Sequence, residues 1–125
     1  MSLSDYLASI RQAIERLDIY GFADSIESHN ELRAGKQLIF KAEVNLVDGS
    51  KLIVREYIDA KYGIEKLTYA YHYQDKDGNL IFRYDNASHK PALNFKEHKH
   101  VSDDGIIAAP APDVSEVIEE IIQRL

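Results

Sequence analysis

Four of the five histidines in this 125-residue chain, His72, His89, His98 and His100, fall between Tyr69 and His100. Arg83, Lys90, Lys96 and Lys99 share that stretch. Imidazole titrates near neutrality and serves as acid or base. Arginine and lysine hold phosphate, arginine through a two-pronged fork. Together these types suit metal-free cleavage of RNA, which needs a base for the ribose 2′-OH, an acid for the leaving oxygen and a cation for the phosphate. On this reading Arg83, His98 and His100 form the chemical core, supported by His89, Lys99 and Glu56. No cofactor or metal is then required. Two other readings use the same residues. His98 and His100 at alternate strand positions could chelate one ion, completed by His89, Asp85 or Glu56. Alternatively the chain does no chemistry, and its basic stretch docks an acidic protein surface.

Charge singles out the same region. The formal net charge is −6, which argues against nonspecific binding to nucleic acid. The first 82 residues carry 10 basic against 13 acidic side chains, and the last 25 carry 1 against 6. Only Arg83–His100 is net basic, with 4 against 2. The absence of cysteine excludes disulfides and thiolate metal sites and fits a cytoplasmic protein. No apolar run approaches the roughly 18–20 residues of a membrane span. The N-terminal residues do not read as a signal peptide.

These side chains must be placed by strands. Asp77-Gly78 separates two alternating segments, Leu67–Gln74 and Asn79–Asn86, and predicts a hairpin. Alternation puts Leu67, Tyr69, Tyr71, Tyr73, Leu80, Phe82 and Tyr84 on one face. The other face receives Thr68, Ala70, His72, Gln74, Ile81, Arg83 and Asp85, unless a one-residue bulge intervenes. The tyrosines read as core, able to stack on bases only where they reach a rim. Upstream, Gly35–Val47 and Leu52–Ala60 flank Asp48-Gly49. A three-residue loop pairing Val47 with Lys51 gathers their apolar residues on one face, which is what fixes a register. Glu56 falls on that apolar face, where a carboxylate must be paired, exposed at a rim or neutral.

Leu3, Leu7, Ile10, Ile14 and Leu17 recur at helical spacing, so Ser2–Leu17 reads as a helix capped by Ser2. Phe22–Ser28 reads as a short edge strand, His29-Asn30-Glu31 as a turn and Phe95–Val101 as a last short strand. Asp113 and Glu116 form a capping box before Val114, Val117, Ile118, Ile121 and Leu125. The predicted architecture is a single α+β domain over residues 1–125. It is an antiparallel meander of about four or five strands, with an N-terminal and a C-terminal helix on one face.

Several motifs occur in a recognisable order: Arg55-Glu56-Tyr57, Tyr71-His72-Tyr73-Gln74, Asp77-Gly78, Phe82-Arg83-Tyr84-Asp85-Asn86-Ala87, His89 near Pro91, and His98-Lys99-His100. This pattern resembles the TumE-like family of small prokaryotic toxins of type II toxin–antitoxin systems, from about Gly35 onward. It departs from the family at Lys90, where a second histidine is expected, and at Lys96-Glu97. The resemblance implies a toxin neutralised by a helix-turn-helix antitoxin. RNA as the target is an inference from the side chains and the class, not from the motifs.

Overall fold

Alternation is strongest from Gln37 onward, and the sheet is built on it. The structure, a computed structural model, describes residues 1–87, 96–102 and 105–125. Helix α1 (Leu3–Ile19) leads into β1 (Ala23–Arg33), β2 (Gln37–Leu46), β3 (Lys51–Asp59), β4 (Glu65–Gln74), β5 (Leu80–Asp85), β6 (His98–Val101), β7 (Ile106–Ala108) and α2 (Val114–Ile122). The strands pair antiparallel in chain order, so the meander is uninterrupted from β1 to β7. Both helices begin with complete capping boxes, Ser2 with Asp5 and Asp113 with Glu116.

Both helices lie on the apolar face. Ile10, Ile14 and Leu17 of α1 and Val117, Ile118 and Ile121 of α2 join Leu38, Phe40, Val44, Leu52, Val54, Ile58, Tyr71, Tyr73 and Phe82 in one buried cluster. Burying a side chain of this size is worth about 1.5–3 kcal/mol, so this face holds the fold together. Tyr71, Tyr73 and Phe82 are at most 2% exposed, which makes the aromatic ladder core and not a base-stacking platform.

The sheet has seven strands, not four or five, and the two extra lengths have physical causes. His29-Asn30-Glu31 is not a turn but the middle of β1, an 11-residue strand held by its ladder to β2 from Ser25↔Asn45 to Arg33↔Gln37. Its first half matches the expected edge strand Phe22–Ser28; from His29 to Arg33 every side chain is exposed, so hydrophobic alternation could not reveal the rest. β7 is a three-residue strand added by pairing with β6, too short to carry a pattern. The expected start of the last strand at Phe95 lies outside the described residues.

Two hairpin registers also differ from expectation. Between β2 and β3 the loop is Val47-Asp48-Gly49, with Leu46 N–H donating to the Ser50 carbonyl at 2.9 Å, so Val47 does not pair with Lys51. The slip is two residues, and every side chain keeps its face. Gly49 has φ +87° and closes the turn, while Asp48 Oδ1 accepts from Ser50 N–H at 3.0 Å. Between β4 and β5 the turn is Lys76-Asp77-Gly78, and a bulge lies between the pairs Tyr73↔Phe82 and Gln74↔Leu80. Leu80 therefore pairs with Gln74 of the polar face, and Ile81 packs against the core instead, the reverse of the expected assignment. Beyond the bulge Tyr71↔Tyr84 and His72↔Arg83 face as expected.

Candidate functional site

The face of the sheet away from the helices is polar, and its centre is Asp85. This residue ends β5, where Asn86 takes over the ladder by accepting from Tyr69 N–H at 3.2 Å and donating to the Leu67 carbonyl at 3.1 Å. Asp85 is only 3% exposed. A buried carboxylate is costly unless paired, and each oxygen here has two partners. Oδ1 accepts from Ala87 N–H at 3.0 Å and lies 2.8 Å from His98 Nε2. Oδ2 accepts from Arg83 Nε at 2.9 Å and lies 3.5 Å from His100 Nε2. His98 Nε2 and Asp85 Oδ1, 2.8 Å apart, form an ion pair when the ring is protonated.

Strand register explains the convergence. Arg83 pairs with His72 on one side and His100 on the other, and Asp85 pairs with His98. Three strands thus contribute alternate residues to one patch. His98 is buried at 1% exposure and its Nδ1 lies 2.9 Å from the Lys96 carbonyl; a carbonyl only accepts, so Nδ1 carries the proton. His72 Nδ1 faces Arg83 Nη1 at 3.4 Å and therefore accepts, leaving Nε2 to donate to Gln74 Oε1 at 3.0 Å. The His98 and His100 rings meet edge to face at 4.9 Å. His100, with a side chain 24% exposed, is the more accessible of the two imidazoles.

Beside the cluster lies a hollow of about 370 Å³, lined by Lys41, Arg55, Tyr57, Thr68, Ala70, Arg83 and Asp85 among others. Ala70 stands between Arg55 and Asp85 in the register, and its methyl group leaves the space open.

Of the six residues singled out from the sequence, Arg83, His98 and His100 come together on this face. Glu56 and Lys99 do not, because their strand positions send them to the helix side. Glu56 is buried there and accepts from Tyr6 OH and, at 2.5 Å, from Tyr71 OH, with Lys66 Nζ at 3.9 Å. Lys66 also donates to the Pro112 carbonyl at 2.6 Å, tying α2's approach to the sheet. Burial, reinforced by the charge of Glu56, raises the Tyr6 and Tyr71 phenols well above their ordinary range. Burial holds the Lys66 ammonium below its own, partly offset by Glu56. Lys99 Nζ donates to Glu120 Oε2 of α2 at 3.0 Å. His89 lies outside the described residues. Alternation already sends Arg55 outward, because it flanks the inward Glu56, and the pairing of β3 with β4 and β4 with β5 carries it to the face of His72 and Arg83. Sequence reasoning passed over Lys41 as a neighbour of the site and Asp85 as its organiser.

Nitrogen and oxygen atoms of Asp85, His98 and His100 all lie within 4.8 Å of one another, so this trio could also gather round a divalent ion. Among the described residues no helix is long and apolar enough to cross a membrane. The family model described as "Toxin TumE" matches residues 10–125, nearly the whole chain. No curated protein and no solved structure matches it.

Proposed function

The chain belongs to the TumE toxin family, and on that premise we propose that it is the toxin component of a type II toxin–antitoxin system and a metal-independent ribonuclease. The observation that carries the chemistry is Asp85, buried and contacted by Arg83, His98 and His100 on the face the helices leave open.

His100 takes the proton from a ribose 2′-OH as that oxygen attacks the adjacent phosphorus. The new 2′-O–P bond forms as the P–O5′ bond breaks, and a second imidazole, that of His89, protonates the departing 5′-oxygen. The products are a 2′,3′-cyclic phosphate and a free 5′-hydroxyl. Arg83 has its Nε committed to Asp85, and its outer nitrogens hold the phosphate. The Asp85 charge offsets the positive charge that develops on His100. His98, buried against Asp85 and the Lys96 carbonyl, is a positioning residue. Glu56 and Lys99 support the sheet from the helix side.

The direct test is cleavage of RNA by purified protein. His100→Ala should lower the rate roughly 10²–10⁴-fold, the usual worth of a general acid or base, and Arg83→Lys should also lower it, since a point charge replaces a fork. Chelator should change nothing. Loss of activity in chelator, restored by one divalent ion, would establish the second reading, a metal held by Asp85, His98 and His100. Unchanged toxicity of a folded His98→Ala/His100→Ala variant would leave a non-enzymatic, partner-binding toxin.

The antitoxin we propose is a helix-turn-helix protein encoded beside the toxin. Coexpression should relieve the growth defect and yield a stable complex, with the basic stretch from Arg83 to His100 as the contact. A complex that forms equally well with Lys90→Glu, Lys96→Glu and Lys99→Glu combined would place the contact elsewhere.

A further inference from the structure

Seven strands in register place side chains in rows that cross the sheet. One row on the open face runs His29, Lys41, Arg55, Ala70, Asp85, His98 and Ala108, each paired with the next. Lys41 and Arg55 therefore stand directly opposite one another, both exposed. Like charges facing across a strand pair are destabilising. Every other lysine or arginine within the described strands has a carboxylate within 4.0 Å: Arg33 has Glu31, Lys51 has Glu43, Lys66 has Glu56, Arg83 has Asp85 and Lys99 has Glu120. Among the described residues Lys41 and Arg55 have none. Glu27 and Glu43 line a hollow with Lys41 and Arg55 but form no ion pair with them, so the facing cations are open to an anion from outside.

The hollow beside the Asp85 cluster supplies the connection. Lys41, Arg55, Ala70, Arg83 and Asp85 all line it. Adjacent strands are about 4.8 Å apart, so Arg55 lies roughly 10 Å from Asp85 along the row and Lys41 roughly 14 Å. These spacings suit successive charges of one polyanion better than a single small anion. Tyr57, next to Arg55 on the same face and half-buried, gives a ring at the edge of the path.

We propose that Lys41 and Arg55 hold the phosphates next to the scissile one, so that single-stranded RNA crosses the strands of the sheet along this row and enters the site at Arg83. The inference rests on the ribonuclease reading and deepens it: the cluster cuts, and the row sets how the strand lies. Lys41 and Arg55 are positioning residues.

The experiment measures binding of a fluorescent single-stranded oligoribonucleotide to the His100→Ala protein over a range of salt concentrations, with and without Lys41→Gln/Arg55→Gln. Each lost phosphate contact on a single strand reduces the slope of log K against log salt by about 0.7, so the double substitution should flatten it by about 1.4. On the His100 background kept intact, the same double substitution should raise KM and leave kcat nearly unchanged. Lys76→Gln, at the distant β4–β5 turn, should leave slope and KM as they were. Because a repulsive pair is removed, the melting temperature should hold or rise, which a merely structural role would not give. RNA cleavage with unchanged KM and salt slope in the double variant overturns the row while leaving the ribonuclease reading intact. Unchanged RNA binding with loss of the antitoxin complex overturns it in favour of an acidic protein partner. A wild-type protein that neither binds nor cuts RNA overturns both.

Discussion

Replacing Glu56 by alanine should unfold the protein far more readily without touching the chemistry directly. The Glu56 side chain is fully buried and accepts hydrogen bonds from Tyr6 of α1 and Tyr71 of β4, with Lys66 at 3.9 Å. Hydrogen bonds to a charged group are worth about 1.5–3 kcal/mol each, and breaking a buried ion pair from one side costs about 3–5 kcal/mol. These overlap, because one carboxylate serves all three partners, so a loss of about 4 kcal/mol is expected. An entropy of unfolding near 2.1 cal/mol/K per residue gives about 0.26 kcal/mol/K for this length, and a melting temperature lower by about 15 K. Thermal and urea unfolding followed by circular dichroism would measure both. The companion variant Glu56→Leu/Lys66→Met removes both charges together and should recover much of the loss. That folded double variant should retain RNA cleavage. A Glu56→Ala protein within 1 kcal/mol of wild type, or a stable double variant without activity, would refute the structural role and return Glu56 to the chemistry.

Alkaline stability is set by the phenols. Tyr6, Tyr69, Tyr71, Tyr73 and Tyr84 are all raised, in each case chiefly by burial. The unfolded chain releases these protons near pH 10 while the fold retains them, so stability is intact below about pH 10 and falls as the pH rises beyond it. Lys66, held low, works in the opposite direction just below that pH but is one group against five. Phenolate absorbance should therefore rise in two stages, the second coinciding with unfolding; one smooth titration with the fold intact would count against it. Gly49→Ala should cost more than the roughly 1–2 kcal/mol of a left-handed backbone, because its Cβ would come within 2.8 Å of Lys76 Cβ in the neighbouring hairpin. Urea unfolding measures this, and a neutral result would show that the two turns separate freely. Asp85→Asn should keep the shape of the cluster but lower RNA cleavage along with Arg83→Lys, and a wild-type rate would remove Asp85 from its organising place.

The sequence made the faces of the sheet legible because alternation needs only local information. Both helices, their caps, and the opposition of Tyr71 and His72 could be read that way. The edge strand was legible as far as Ser28, but its continuation to Arg33 was not, since those exposed residues owe their conformation to hydrogen bonds with β2 and to no pattern of their own. The site divides along the same line. Arg83, His98 and His100 were visible through density and spacing. Lys99 sits between two of them in the chain, yet the pleat sends it to Glu120 on the other side. Lys41 and Arg55 join the neighbourhood only through pairing across four strands, from β2 to β5, which no short window contains.

The β4–β5 hairpin restricts how such a chain can change length. Its turn, Lys76-Asp77-Gly78, has an odd number of residues, and the bulge before Phe82 offsets it by one more. That restriction falls on the strand and not on its tip. A residue lost from the turn, or the loss of Ile81, leaves Tyr73 opposite Phe82 and His72 opposite Arg83, because pairing and not turn length sets the face of each side chain. A residue gained between Arg83 and Asp85 has no such outlet: without a new bulge it turns one of the two away from the other, with every residue of the site still present.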